Sequence, residues 1–340
     1  MPSPRPGRHP VRARLLRVAR PVVAVLVLGA LVWTVVDQWR PLQDEFSRLS
    51  VVALVVAALG AVVSVAGQML CWRALLTDLG NRLPLVPAGR VFFLGQLGKY
   101  LPGSVWPVVA QMELAADLKV PRTRTATTVL LFMLFNMVSA VAVAGVTLPF
   151  ALPADGDLGS WRWAFLLLVG ALVVLHPALL NRLTALGVRL LRRPAPDTLL
   201  TFGGVARAVG WTLLEWVAAG VMLAALLAGF DDPVSLPLAI GAFALAWAVG
   251  FVVVVVPAGA GVREAVLVVL LSGSVGRPTA LAAALATRLL MTLADGGWAL
   301  ALVPHVVRAR LQRGRPAVAA APGTPPTDPL SAADQEVRSR

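Results

Sequence analysis

Two apolar runs of this chain are broken where a membrane helix would have to be continuous, and these breaks restrict its architecture more than any other feature. The first is GQLGKYLPGSVW, Gly95 to Trp106, and the second is VVPAGAGVREAVL, Val255 to Leu267. Backbone at membrane depth must have its N–H and C=O groups satisfied. A broken helix therefore persists there only when it is buried in protein or lines a wet cavity. Two breaks in comparable places of the two halves of a chain are the pattern of a transporter binding site.

Composition supports a bilayer setting. Of 340 residues, 58% are hydrophobic and 14% charged, with a mean hydropathy of +0.80. Soluble domains carry about 25% charge, so the expected class is an all-α polytopic membrane protein. The single cysteine, Cys71, excludes a disulfide framework or a cysteine metal site. His9, His176 and His305 are too scattered for a ligand cluster and read as helix-end or tail residues. Neither a metal nor a cofactor is expected.

The net charge of +13 does not point to nucleic acid, because its distribution follows membrane topology. Basic residues cluster before the first apolar run, between Arg73 and Arg124, between Arg182 and Arg207, and from Arg308 onward. The alternate loops hold Asp37, Asp44, Glu45, Asp155, Asp157, Asp231 and Asp232. By the positive-inside rule this places both termini in the cytoplasm of a bacterial-type plasma membrane.

The expected organisation is a basic arm over 1–20, a membrane domain over 21–305, and a disordered tail over 306–340. Complete spans are expected at about 21–36, 50–72, 125–148, 161–180, 208–229 and 279–303. The first break separates limbs of roughly 88–101 and 103–118, each too short to cross about 30 Å of hydrocarbon. If both breaks are re-entrant, six complete spans remain in an inverted repeat. If 237–256 and 262–275 each cross, there are eight.

A helix that starts after a break exposes free N–H groups and a positive dipole end, which together suit an anion. At the second break the donors come from Gly259, Gly261 and their neighbours after Pro257, with Arg263 beside them and Glu264 in the first turn. Arginine suits phosphate because its planar fork binds bidentately. Glu264 can hold Arg263 or accept a proton. The plainer alternative is a tight turn with two charges at the membrane interface. At the first break Pro102 and Gly103 end one limb, and Ser104 can cap the next, with Lys99 and Arg90 on the first limb and Glu113 on the second. The alternative there is an amphipathic helix pair lying on the membrane surface.

Three charges lie deep inside complete spans: Glu215, Arg288 and Asp295. Such residues cost about 2.5–3.5 kcal/mol each on insertion scales and face a bundle interior or a cavity. Arg288 and Asp295 are seven residues apart and share a helix face. A structural pair of Glu215 with Arg288 and a polar path for a headgroup are both open. Gln68 is adequately explained by interhelical hydrogen bonding. The chain has no GxxxxGK[ST], GxSxG, HExxH or complete GxGxxG motif, so a nucleotide-driven pump or soluble-type enzyme is not expected.

The segments GQLGKYLPGSVW and VPAGAGVREAVL, in this order and setting, resemble the flippase-like membrane region of lysylphosphatidylglycerol synthases. The resemblance covers about 20–305, and its matching positions are Gly98, Lys99, Pro102, Gly103, Pro257, Gly259, Gly261, Arg263 and Glu264. In bifunctional members this region moves aminoacylated phosphatidylglycerol between leaflets, while a soluble domain attaches the amino acid from charged tRNA. Only a short tail follows the last span here, so the resemblance implies a stand-alone member without aminoacyl-transferase activity. It also implies a lipid transporter, not an enzyme, acting on an anionic phospholipid or a polyprenyl-phosphate-linked lipid. Arg263, Gly259, Gly261, Lys99 and Ser104 would then hold the phosphate, and Glu264, Glu215, Arg288, Asp295 and Glu113 would line the headgroup path. Expected partners are membrane lipids and a separate lipid aminoacyl- or glycosyltransferase. The alternatives are an intramembrane lipid transferase and a non-transporting partner of a lipid-modifying enzyme.

Overall fold

The computed structural model describes residues 49–100, 105–151, 159–190, 198–253 and 259–313, with side chains as far as Leu302. The basic arm, the first expected span, Pro102, Gly103, Ser104, Pro257 and the tail beyond Arg313 lie outside the described residues. The chain divides into a unit Met1–Leu302, which holds every side-chain contact described below, and a second unit Val303–Arg340.

Among the described residues the structure is entirely helical. The helices are α1 (Val51–Asp78), α2 (Leu85–Gln96), α3 (Trp106–Ala116), α4 (Arg122–Ala151), α5 (Gly159–Val174), α6 (Pro177–Leu190), α7 (Phe202–Gly229), α8 (Leu236–Val252), α9 (Val262–Val275) and α10 (Arg277–Arg313). A 3-10 turn, Leu97–Tyr100, extends α2. Helices α1, α4 and α7 are each long and apolar enough to cross a membrane. Large apolar side chains such as Leu54, Leu59, Leu130 and Leu213 remain exposed on them, a cost in water that disappears in hydrocarbon.

The principal helix pair is α1 against α7. Lipid tails are as apolar as leucine, so helices in a membrane associate through close packing of small residues. On α1, Ala57, Gly60, Ala61, Ser64 and Gly67 provide that face. A Cβ at Gly60 would lie 2.8 Å from the Ala218 carbonyl oxygen, and one at Gly67 would lie 3.2 Å from that of Trp211. The pair is also tied at one end. Asp78 accepts hydrogen bonds from Thr201 N (2.7 Å) and Thr201 Oγ1 (2.8 Å), placing a carboxylate at the positive end of α7. Deeper in the bundle, Trp216 Nε1 donates to Ser139 Oγ at 2.9 Å, joining α7 to α4.

Two expectations about spans change. The stretch 161–180 is not one straight span, because α5 and α6 meet at a bend of 60°. Pro177 is the cause: it lacks an N–H and disfavours helical backbone at His176. His176 stands at that helix end, as expected. Of the limb expected over 237–256, the described helix is Leu236–Val252, 17 residues, or about 26 Å at 1.5 Å per residue. It falls short of a comfortable crossing.

Gly60 and Gly210 separate packing from backbone propensity. Gly60→Val forces the α1 and α7 backbones apart and is expected to destabilise the protein by about 1–3 kcal/mol. Gly210→Ala, on the same pair but with nothing within 4 Å of its Cβ, is expected to stabilise it by up to about 1 kcal/mol. Thermal unfolding in detergent reads both signs. Equal shifts would contradict the close-packed seam.

Candidate functional site

At each break the two flanking helices pack side by side as a hairpin, and glycines close the contact between them. In the first, a Cβ at Gly95 would strike the Gln111 side chain, and one at Gly98 would lie 2.9 Å from Pro107 N. Limbs α2 and α3 therefore meet backbone to backbone. In the second, Gly259, with φ +64°, lies against Gly250, where a Cβ would come within 2.9 Å of the Gly250 carbonyl oxygen. Gly261 has φ +79° and occupies the N-cap of α9 with no side-chain cap. Both conformations are left-handed, which glycine adopts without a Cβ penalty. Helix α9 thus starts without a side-chain cap from its N-cap residue, and Arg263 lies in its first turn.

The two hairpins face one cavity of about 430 Å³. It is lined by Gln68 of α1, Lys99 and Tyr100 of the 3-10 turn, Asn136 of α4, Glu215 of α7 and Trp247 of α8. Gly259 and α9, with Arg263 and Glu264, form another wall, and Arg288, Thr292 and Asp295 of α10 complete it. Six of the sequence-selected charges therefore converge: Lys99, Arg263, Arg288, Glu215, Glu264 and Asp295.

Their pairing differs from the sequence expectation in two respects. Arg288 NH1 donates to Glu264 Oε1 at 2.7 Å, so neither Glu215 with Arg288 nor Glu264 with Arg263 is the pair formed. The reason is helix rotation: α9 turns Glu264 into the interior, 3% exposed, toward α10. Lys99 Nζ lies 2.6 Å from Asp295 Oδ2, and Tyr100 OH donates to the same oxygen at 2.7 Å. Helix α10 therefore holds one hairpin through Arg288 and the other through Asp295, about 10 Å apart along its axis.

Arg263 has a different environment. Its guanidinium lies 5.5 Å from the centre of the Trp247 ring, and its stem packs into the space left by Gly250. Trp247 stacks in turn on Phe251 at 5.0 Å and meets Trp216 edge-on at 5.4 Å. No described carboxylate forms an ion pair with Arg263, and its buried Nε has no hydrogen-bond partner. Glu215 is 1% exposed, shares the cavity wall with Gln68 and leaves Oε2 without a partner.

Glu113 does not belong to this group. It is exposed near the end of α3, where Arg122 NH2 donates to it at 2.6 Å and Arg122 Nε at 3.0 Å. That bidentate bond holds the Glu113 carboxyl below its usual range. Glu113 is not among the residues that line the cavity, so it has no part in a headgroup path through it. Pro102, Gly103, Ser104 and Pro257 fall outside the described residues, and no contact of theirs enters the site. Sequence reasoning missed Trp247, Tyr100 and Asn136. Tyr100 carried a usable signal, since it is the only tyrosine in the chain and adjoins Lys99 at a break.

A helical membrane protein with two glycine-closed hairpins around a charged interior cavity is the class defined by these features. The family model described as the lysylphosphatidylglycerol synthase TM region matches residues 21–295, and the chain belongs to that family. A search of curated proteins finds no match to the chain. Membership places the protein in the membrane and associates it with membrane lipids.

The α9–α10 ion pair is open to a direct test. Glu264→Ala or Arg288→Ala leaves one buried or half-buried charge without its partner, at an expected cost of about 3 kcal/mol. The double change Glu264→Ala with Arg288→Ala is expected to cost at least about 2 kcal/mol less than the sum of the two single losses. A double-mutant cycle on unfolding in detergent measures it, and additive losses would mean that the two residues do not interact.

Proposed function

We propose that the protein moves a phosphate-bearing anionic lipid between the leaflets of a bacterial-type plasma membrane, and that Arg263 receives the lipid phosphate. The observation that carries this reading is the contrast among the three cavity cations. Lys99 and Arg288 are engaged by Asp295 and Glu264, whereas Arg263 is held by an aromatic ring and a glycine slot, with a donor unspent. An arginine aimed into a cavity beside an uncapped helix start suits phosphate through both its fork and the local dipole.

A cavity of about 430 Å³ has room for a headgroup, not for a whole phospholipid. The acyl chains would stay in the bilayer while the headgroup follows the polar interior. Glu215 and the two ion pairs form the remainder of that path, and the pairs act as latches between the hairpins and α10. The hairpins would be re-entrant, with both termini cytoplasmic in keeping with the basic loops. The protein would act as a transporter without a reaction of its own. A separate lipid aminoacyl- or glycosyltransferase would supply aminoacyl-phosphatidylglycerol or a polyprenyl-phosphate-linked lipid.

Liposomes containing purified protein and a fluorescent phosphatidylglycerol measure the movement by quenching from outside. Wild type is expected to exchange the lipid at least tenfold faster than protein-free liposomes. Arg263→Ala should remove most of that gain, and Arg263→Lys should restore part of it. A wild-type rate equal to that of protein-free liposomes, or an unchanged rate in Arg263→Ala, would contradict the assignment.

A further inference from the structure

A second recess of about 370 Å³ lies between α1 and α7, with Arg73 and Leu70 on α1, Arg82 on the following loop, and Arg207 and Trp211 on α7. It is distinct from the central cavity. On α1, Leu70 and Arg73 project from a face roughly opposite that of Val65 and Gln68, which line the cavity.

Three guanidinium groups around one small opening repel one another, and no described carboxylate offsets them by pairing. The adjacent acid in sequence, Asp78, is already engaged, since it accepts two hydrogen bonds from Thr201. Arg73 is also oriented in advance. Its Nε donates to the Leu83 carbonyl at 2.8 Å, which fixes the plane of the guanidinium and leaves its terminal nitrogens for another acceptor. Clustered arginines with a fixed fork match the geometry of phosphate.

We propose that this recess is a phosphate-ester binding site, separate from the central cavity, and that it takes the headgroup of an anionic phospholipid at the membrane boundary. A membrane source follows from the walls. Leu70 and Trp211 border the recess, and further along α7 Leu213, Leu214 and Val217 are exposed in the direction of the span. Arg207 precedes the intramembrane Glu215 by eight residues, about 12 Å along the helix. A lipid can therefore leave its phosphate on the arginines and its chains along the apolar surface. A lipid held there would bridge α1 and α7 at the end that Asp78 and Thr201 already tie.

The test uses full-length protein carrying Arg263→Ala, so that the central cavity does not contribute and the outcome is independent of translocation. The detergent-purified protein is titrated with dioctanoyl phosphatidylglycerol, dioctanoyl phosphatidylcholine and glycerol phosphate. The anionic lipid is expected to bind at least tenfold more tightly than the zwitterionic one. Arg73→Gln with Arg207→Gln should weaken its binding at least tenfold. Arg82→Gln, on the loop, should weaken it about threefold and serves if the double variant does not fold. Glycerol phosphate binding as tightly as the lipid would support the phosphate site and assign it a water-soluble source. Undiminished binding of the anionic lipid by the arginine variants, or equal affinity for both lipids, would overturn the proposal.

Discussion

Two ion pairs on one face of α10 hold the interior together. Arg288 engages Glu264 on the hairpin of the second break, and Asp295 engages Lys99 and Tyr100 on that of the first. The hairpin helices are short, 12 and 11 residues in the first and 17 and 14 in the second, and their charged contacts to α10 anchor them. Charge pairing in a low-dielectric interior offsets a desolvation cost of several kcal/mol per ion only when both partners are present and well oriented. Both breaks thus depend on one helix, and any rotation or translation of α10 acts on the two hairpins together.

Small residues let this polar interior exist inside an apolar bundle. Gly60 and Gly67 bring α1 onto α7, which sets Gln68 beside Glu215. Gly250 makes room for the Arg263 stem and for the turn at Gly259. Because Trp247 carries the Arg263 guanidinium through its ring face, the arginine is positioned without consuming a carboxylate. Arg263 is thus held in the cavity wall without a direct ion pair.

Much of this was legible in the sequence, for reasons that also explain the misses. Uninterrupted hydropathy over Val51–Asp78, Arg122–Ala151 and Phe202–Gly229 foretells spans because nothing but hydrocarbon or protein accepts such surfaces. Lys99, Glu215, Arg263, Glu264, Arg288 and Asp295 stood out because each is a charge inside an apolar run. Their partners were not legible, since pairing depends on how α9 and α10 are rotated about their axes, a tertiary property. Glu113 was misassigned for the opposite reason: near a limb end an exposed acid paired with Arg122 looks no different in sequence from a buried one. The 60° bend had a local signal in Pro177, masked by the apolar residues on both sides.

The most direct measurement is an experimental structure of the full-length protein in nanodiscs rich in an anionic phospholipid. The account predicts a lipid phosphate within hydrogen-bonding distance of the Arg263 guanidinium, with the acyl chains leaving the bundle for the bilayer. Lipid bound only outside the helix bundle, with the cavity closed around intact Arg288–Glu264 and Lys99–Asp295 pairs at saturating lipid, would contradict it.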